Sequence, residues 1–274
     1  AKSITYNKKM YGYPLSAETY ALFYNKDLIS EAQVPKTWND LIKWTANFNR
    51  KNPGKKGFVM DFCNAYYGII FSTGGNNRLF GDSGTNAKTP NMNTKSAIEG
   101  YKFMQSLRTA LNLENTFVSS SGCDGLFTSG MAAMHVSGPW NINNFSSSIK
   151  NLGVAPLPAL PGESTPAASF SGTRVIFVSN YSNHPDEASQ FATFLLTPKM
   201  QKLRADLTGT LPAINVEIDN KYAAGFIEQL DYAFPMPSIP QMGTFWGNAQ
   251  DCLYKIWSGA DVTKELNNLS SKFN

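Results

Sequence analysis

Residues 12–28, GYPLSAETYALFYNKDL, constrain this chain more than any other stretch. Two alternating apolar runs are joined by a short polar crossing around Glu18, so its carboxylate is expected on a connection and not inside a packed element. Connections held by rigid strands are where binding groups are usually placed. The run at 20–24, YALFY, reads as a strand, and Asn25, Lys26 and Asp27 after it read as its close and the start of a helix.

Further along, helices and strands alternate. Thr37 is placed to cap a helix starting at Trp38, with Asp40 completing a capping-box-like pair and Trp38, Leu41, Ile42, Thr45 and Phe48 on one face. A second helix begins near Asn93 and Thr94 and sets Ala97, Ile98, Tyr101, Met104 and Leu107 on one side. A third has Pro185 as its first residue, turns Ala188, Phe191, Ala192 and Leu195 inward, and stops before Pro198, which opens the next. Apolar strand candidates fall at 57–61, 132–136, 152–155 and 175–178. The alternation indicates an α/β fold with a mainly parallel sheet. The Pro- and Gly-rich stretch at 156–162 marks a surface loop leading into Phe170, Ser171, Gly172 and Thr173, where a crossing between lobes fits.

Several classes of chemistry are poorly supplied. The net charge is +4, and basic residues are scattered apart from Lys8 with Lys9 and Lys55 with Lys56, which is not the concentrated basic face that nucleic-acid binding needs. The three cysteines, Cys63, Cys123 and Cys252, are far apart without CxxC spacing, and only His135 and His184 are available, so neither a disulfide framework nor a metal site is expected. No cofactor is implied. No apolar run is long enough for a membrane span, and the start, AKSITYNKKM, lacks the apolar core of a signal peptide, so the chain reads as a mature or cut product or a cytoplasmic protein. No GxSxG, P-loop, HExxH or GxGxxG string occurs. Two carboxylates converging as in a glycosidase remain an open alternative, since any two acids can meet in space.

The segment at 12–28, PKTWNDL at 35–41, GPW at 138–140 and MPSIPQM at 236–242 followed by FW at 245–246 together resemble, in order and rough spacing, the maltose/maltodextrin-binding proteins of bacterial ABC importers. The resemblance runs from near Lys8 to the C-terminus. It implies two α/β lobes of the type II periplasmic-binding-protein-like kind, joined by crossings near Ala17, Ser171 and Asn220, with ligand held between them. Placed on this sequence, residues 17–172 and 220–274 form a complete C-terminal, sugar-binding lobe. Residues 1–16 and 173–219 form a remnant of the other lobe, because the family's further N-terminal segment is not in this sequence.

Sugars present hydroxyl edges and apolar C–H faces, so their sites combine flat rings with groups that accept and donate several hydrogen bonds. By resemblance, Glu18 is the hinge-proximal carboxylate that bonds sugar hydroxyls; the alternative is an exposed surface glutamate. Trp140, after Gly138 and Pro139 at the end of an apolar strand, matches the stacking tryptophan, against a core ring closing a sheet end. Trp246 matches a second stacking ring, against a core role on the face of Met242, Phe245, Ala249, Leu253 and Ile256; Gly247 stands where the family often has another aromatic. Asn64, Tyr66 and Tyr67 occupy the place of a Glu-Pro-aromatic-aromatic motif, and Met236 matches a cleft-lining position. The implied function is the solute-binding component of a sugar importer, not an enzyme, with an oligosaccharide (maltose or maltodextrin) and ABC permease subunits as partners. The expected location is extracellular or periplasmic, with anchoring through a lipoprotein N-terminus outside this sequence. Another oligosaccharide or glycerol-phosphate is the nearest alternative ligand. Apolar surface on the incomplete lobe predicts self-association of the chain.

Overall fold

The computed structural model describes residues 4–6, 9–113 and 119–273; Lys8 and part of the 1–16 segment lie outside the described residues. In chain order the strands are β1 (Thr5–Tyr6), β2 (Lys9–Met10), β3 (Tyr13–Glu18), β4 (Ala21–Asn25), β5 (Lys56–Val59), β6 (Ala132–Ser137), β7 (Leu152–Ala155), β8 (Phe170–Ile176), β9 (Leu211–Pro212) and β10 (Phe234–Pro235). The helices are α1 (Trp38–Lys51), α2 (Ala65–Gly68), α3 (Lys95–Ala110), α4 (Ser120–Thr128), α5 (Ile142–Ser148), α6 (Pro185–Leu195), α7 (Pro198–Thr208), α8 (Ala223–Leu230), α9 (Gln241–Trp257) and α10 (Val262–Ser270).

Local chemistry sets these boundaries. Thr37 Oγ1 accepts the Asp40 N–H at 3.1 Å while its hydroxyl donates to Asp40 Oδ2 at 2.7 Å, and α1 then buries Trp38, Leu41, Thr45 and Phe48. Thr94 accepts the Ala97 N–H at 3.2 Å to start α3, which buries Ala97, Tyr101, Met104 and Leu107. Pro185 and Pro198 open α6 and α7, where a missing N–H is harmless. No helix starts at Asn25; a turn follows β4, in which Asn25 Oδ1 accepts the Asp27 N–H at 3.0 Å.

Two four-stranded sheets organise the molecule, in orders β5-β6-β4-β7 and β10-β8-β3-β9. Neither is mainly parallel, contrary to the expectation from helix and strand alternation. Only β5 with β6 and β10 with β8 run parallel, whereas β4 is antiparallel to β6 and β7, and β3 is antiparallel to β8 and β9. The reason lies in residues 19 and 20: β3 leaves one sheet and β4 enters the centre of the other with no intervening helix, so the strand that joins the sheets sets the mixed sense in both. Thr19, fully buried at this crossing, donates to the Phe170 carbonyl at 2.9 Å and lies 2.7 Å from Ser169 Oγ. Gln229 of α8 completes the seam, donating to Ser169 Oγ and the Ala167 carbonyl at 3.0 Å and accepting the Leu157 N–H at 2.7 Å. A buried polar cluster satisfied in this way fixes one arrangement of the crossing.

The hydrophobic core packs around the β5-β6-β4-β7 sheet, from Leu22, Phe23 and Met134 out to Trp38, Phe62, Tyr101, Phe145, Phe226 and Leu253. Around α6 and α7 packing is thin. Ala192 is the one buried residue of α6, and Phe191, expected inward, is exposed along with Phe194.

Candidate functional site

The strand ends at the junction of the two sheets bring several of the expected residues together. Chain exit from β6 sets Gly138, and the indole of Trp140 folds back over it so closely that a Cβ at Gly138 would lie 2.1 Å from ring atoms. Asn141 anchors this turn, donating to Asp124 Oδ2 at 3.1 Å and Ser137 Oγ at 3.0 Å. Asp124 Oδ1 in turn lies 2.9 Å from Nε2 of buried His135, whose Nδ1 is 3.1 Å from the Val59 carbonyl. The turn is therefore held from beneath by three elements, leaving the half-buried indole on the surface of the wall.

Tyr66 is the centre of this wall. Its ring lies 6.2 Å from Trp140, 5.4 Å from Tyr67, 5.9 Å from Phe170 and 4.9 Å from Tyr20. Phe170 continues the row to Trp246 at 6.1 Å and to Phe234 at 5.0 Å. Such pairs are each worth roughly 0.5–1.5 kcal/mol beyond their burial, enough to hold ring orientations in register. Tyr20 and Phe170 are fully buried and Tyr67 is buried, whereas Tyr66, Trp140 and Trp246 keep partly exposed faces. Burial pushes the Tyr66 hydroxyl up, and the Glu18 carboxylate adds to the rise; burial also raises Tyr67 and Tyr20. All three phenols therefore remain protonated donors near neutral pH.

Glu18 is the last residue of β3 and stands within electrostatic range of Tyr66. Its Oε1 accepts from Arg174 Nε at 2.7 Å; the carboxylate is 15% exposed and the guanidinium 63%. That pair raises Arg174, through the hydrogen bond to Glu18 first and its charge second. An ion pair this exposed contributes about 0.2–1 kcal/mol, so it fixes a side-chain orientation more than it stabilises the fold.

The other expected residues stand differently. Asn64 caps α2, accepting the Tyr66 N–H at 2.9 Å, while its Nδ2 reaches Ser120 Oγ at 3.4 Å, so its amide is engaged within the fold. Ser120, the first residue of α4, donates to Asp61 Oδ2 at 2.8 Å, and Asp61 Oδ1 accepts the Asn64 N–H at 3.1 Å, which ties the start of α4 to the cap of α2. Met236 follows β10, donates its N–H to the Ser171 carbonyl at 3.0 Å and packs half-buried against the core. Phe170 and Arg174 carry no motif signal of their own. The alternation of Phe170, Gly172 and Arg174 on one face of β8 is the pattern that points to them.

Among the described residues no three His, Cys, Asp or Glu side chains cluster as a metal site would require. The three cysteines are free and buried, each pushed up to about 12 by desolvation, and so are inert as nucleophiles near neutral pH. A surface cavity of about 660 Å³, bounded by Pro198, Lys202 and Asp219, is lined by none of the rings above.

Two mixed sheets joined by the step from β3 to β4, with rings and a carboxylate near the junction, define an α/β fold of the type II periplasmic-binding-protein-like class. The bacterial extracellular solute-binding protein family matches residues 1–202, and the chain belongs to that family. It is similar to a galactooligosaccharide-binding protein of Bacillus subtilis (strain 168), 32% identical over 274 residues, covering 94% of this chain and 64% of the relative. It is also similar to the maltodextrin-binding protein MdxE of the same organism, 30% identical over 279 residues, covering 96% and 66%. The chain thus spans about two thirds of the length of these relatives. Among solved structures it matches a cyclo/maltodextrin-binding protein complexed with maltotetraose, with 30% identity, TM-score 0.84, and coverage of 98% of this chain and 71% of that one. A Thermus thermophilus maltotriose binding protein bound with maltotriose matches with 25% identity, TM-score 0.85, and coverage of 99% and 74%. Members of the family are extracellular solute-binding proteins, and no helix among the described residues is long and apolar enough to cross a membrane.

Proposed function

We propose that this chain carries one wall of a carbohydrate cleft in the solute-binding component of an ABC sugar importer, with maltose or a maltodextrin as ligand. The observation that carries this reading is the row Trp140, Tyr66, Phe170 and Trp246 beside the Glu18 carboxylate. Ring faces take the apolar side of a pyranose, and a carboxylate accepts from its hydroxyls with stronger, charge-assisted bonds. Glu18, Tyr66, Trp140 and Trp246 are assigned direct contact, with Tyr67 and Met236 at the margin; Asn64 acts through the α2 cap that presents Tyr66. The names of the relatives support a sugar ligand, and those of the solved structures favour an α-glucan.

In this reading residues 17–172 and 220–274 form the sugar-binding lobe, and residues 1–16 with 173–219 belong to the opposing one. Ligand between lobes favours the closed state by contacts absent from the open one, and that state docks on the permease. No covalent step is involved, so the protein is a binder and not an enzyme. A lipid anchor is in keeping with the lipoprotein named among its relatives in Streptococcus pneumoniae. Micromolar affinity, about −8 kcal/mol, draws on contacts from both walls of such a cleft.

Saturation-transfer NMR and tryptophan fluorescence with maltotriose test this. Transfer to the sugar and a fluorescence change that disappears in Trp140→Ala are expected. A second reading, a galactooligosaccharide ligand, is favoured by the 32% identical relative and is separated by running that sugar in parallel. Reducing sugar released from starch, or silence across both sugars, overturns the assignment.

A further inference from the structure

The register of β3 against β8 sets Glu18 opposite Gly172 and Ser16 opposite Arg174. Side chains two apart on a strand share a face, so Arg174 is the diagonal neighbour of Glu18, and the position directly across from the carboxylate carries only hydrogen. Nothing at residue 172 therefore separates the carboxylate and the guanidinium from the space in front of them. The single bond from Arg174 Nε to Glu18 Oε1, at 2.7 Å, leaves Glu18 Oε2 and both Nη groups of Arg174 without a hydrogen-bond partner among the described residues. Tyr66 stands within electrostatic range of both charges.

A pyranose diol offers two hydroxyls, each of which donates one hydrogen bond and accepts others. A lone carboxylate satisfies only the donors. Carboxylate and guanidinium locked side by side present an acceptor and a fork of donors at fixed spacing, and their formal charges cancel, so the pair favours a neutral ligand over an anionic one. The guanidinium plane is also rigid where an ammonium is not.

We propose that Arg174 is a second sugar-contacting residue, which with Glu18 forms a neutral donor–acceptor pair that reads a vicinal diol of a neutral sugar lying on Tyr66. This rests on the carbohydrate reading above. It assigns a binding role to a residue of β8 that lies on the other side of the 172/173 boundary from Glu18, so the pair spans the strands joining the two lobes.

The test titrates maltotriose and a set of its monodeoxy analogues into the wild-type chain, Arg174→Met and Arg174→Lys, read by saturation-transfer NMR, with thermal unfolding followed in parallel. Wild type is expected to lose roughly tenfold in affinity for one deoxy analogue, as expected when a bond to a charged group is lost. Arg174→Met should lose about as much for the parent sugar and be indifferent to that same deoxygenation, with its unfolding midpoint unchanged within a degree or two. Arg174→Lys should recover part of the affinity without the full discrimination. If wild type binds and Arg174→Met keeps both its affinity and its deoxy profile, the inference fails while the carbohydrate reading stands. If wild type binds no sugar, the carbohydrate reading fails and this one with it. Tighter binding of inorganic phosphate than of maltotriose by wild type would also overturn it, by showing the guanidinium to be an anion site.

Discussion

Trp140 is held by a residue it does not bond to. A Cβ at position 138 would lie 2.1 Å from the indole, a separation no side-chain adjustment at Gly138 relieves, so the ring occupies the space a side chain would need. Gly138 has no positive φ, and its requirement is purely steric. Gly138→Ala should therefore displace the indole and weaken the maltotriose response as far as Trp140→Ala does, while lowering stability by about 1–3 kcal/mol in denaturant titration. Retention of the wild-type response would show that the ring has another resting place. At this scale the sequence placed side chains more readily than it assigned their roles. GPW pointed to a ring at a strand end, as stacking surface or as core, and the half-buried indole there packs partly against the core. Asn64 was placed only by its position in a motif, and its bonds to Tyr66 and Ser120 show the amide engaged at the start of α2. Arg174 carries no motif, because a lone arginine on a strand becomes meaningful only when the partner strand sets Glu18 diagonally across from it.

Elements were legible where capping and periodicity act locally. Thr37 and Thr94 stand where their helices start, and α6 begins at Pro185. Sheet sense was not legible, because it depends on which strands become neighbours, and the two-residue step from β3 to β4 overrides the parallel order that alternating helices suggest. Glycines inside helices show the same division between local and tertiary control. Alanine is favoured over glycine in a helix by about 1 kcal/mol, so propensity alone recommends replacing Gly100 in α3 and Gly125 in α4. Packing separates them: a Cβ on Gly100 would sit 1.7 Å from the Phe71 carbonyl oxygen, whereas one on Gly125 meets nothing within 4 Å. Gly100→Ala must push α3 off the turn at Ile69–Ser72, an overpacking cost of about 1–3 kcal/mol that offsets or outweighs the propensity gain. Gly125→Ala should instead stabilise by about 0.5–1 kcal/mol. Guanidinium unfolding of both variants measures the pair, and equal effects would refute the close approach of α3 to that turn.

Across the whole molecule, apolar burial is uneven in a way that sets its behaviour in solution. Phe23, Phe58, Phe127 and Phe145 around the β5-β6-β4-β7 sheet are fully buried, while Phe177, Tyr181, Phe191, Phe194, Leu203 and Leu207, all between β8 and the end of α7, are exposed. Scattered apolar side chains are ordinary on a surface, but six large exposed ones on about thirty residues of chain give enough apolar area for a contact between copies. Burying even half of the side-chain area of three such rings between two copies, at about 25 cal/mol per Å² and 150–250 Å² per ring, gives several kcal/mol before the cost of association. That is enough for concentration-dependent pairing and too little for a permanent dimer. Light scattering should therefore show an average mass that rises with concentration, and Phe191→Ser with Phe194→Ser should return it to that of a monomer. The ring wall around Tyr66 uses different residues, so the double variant should keep its maltotriose response. A chain that is monodisperse and monomeric at all concentrations would mean these side chains are too dispersed on the surface to pair two copies. An unchanged association in the double variant would move the contact to another surface, and loss of the sugar response along with association would make the two faces one.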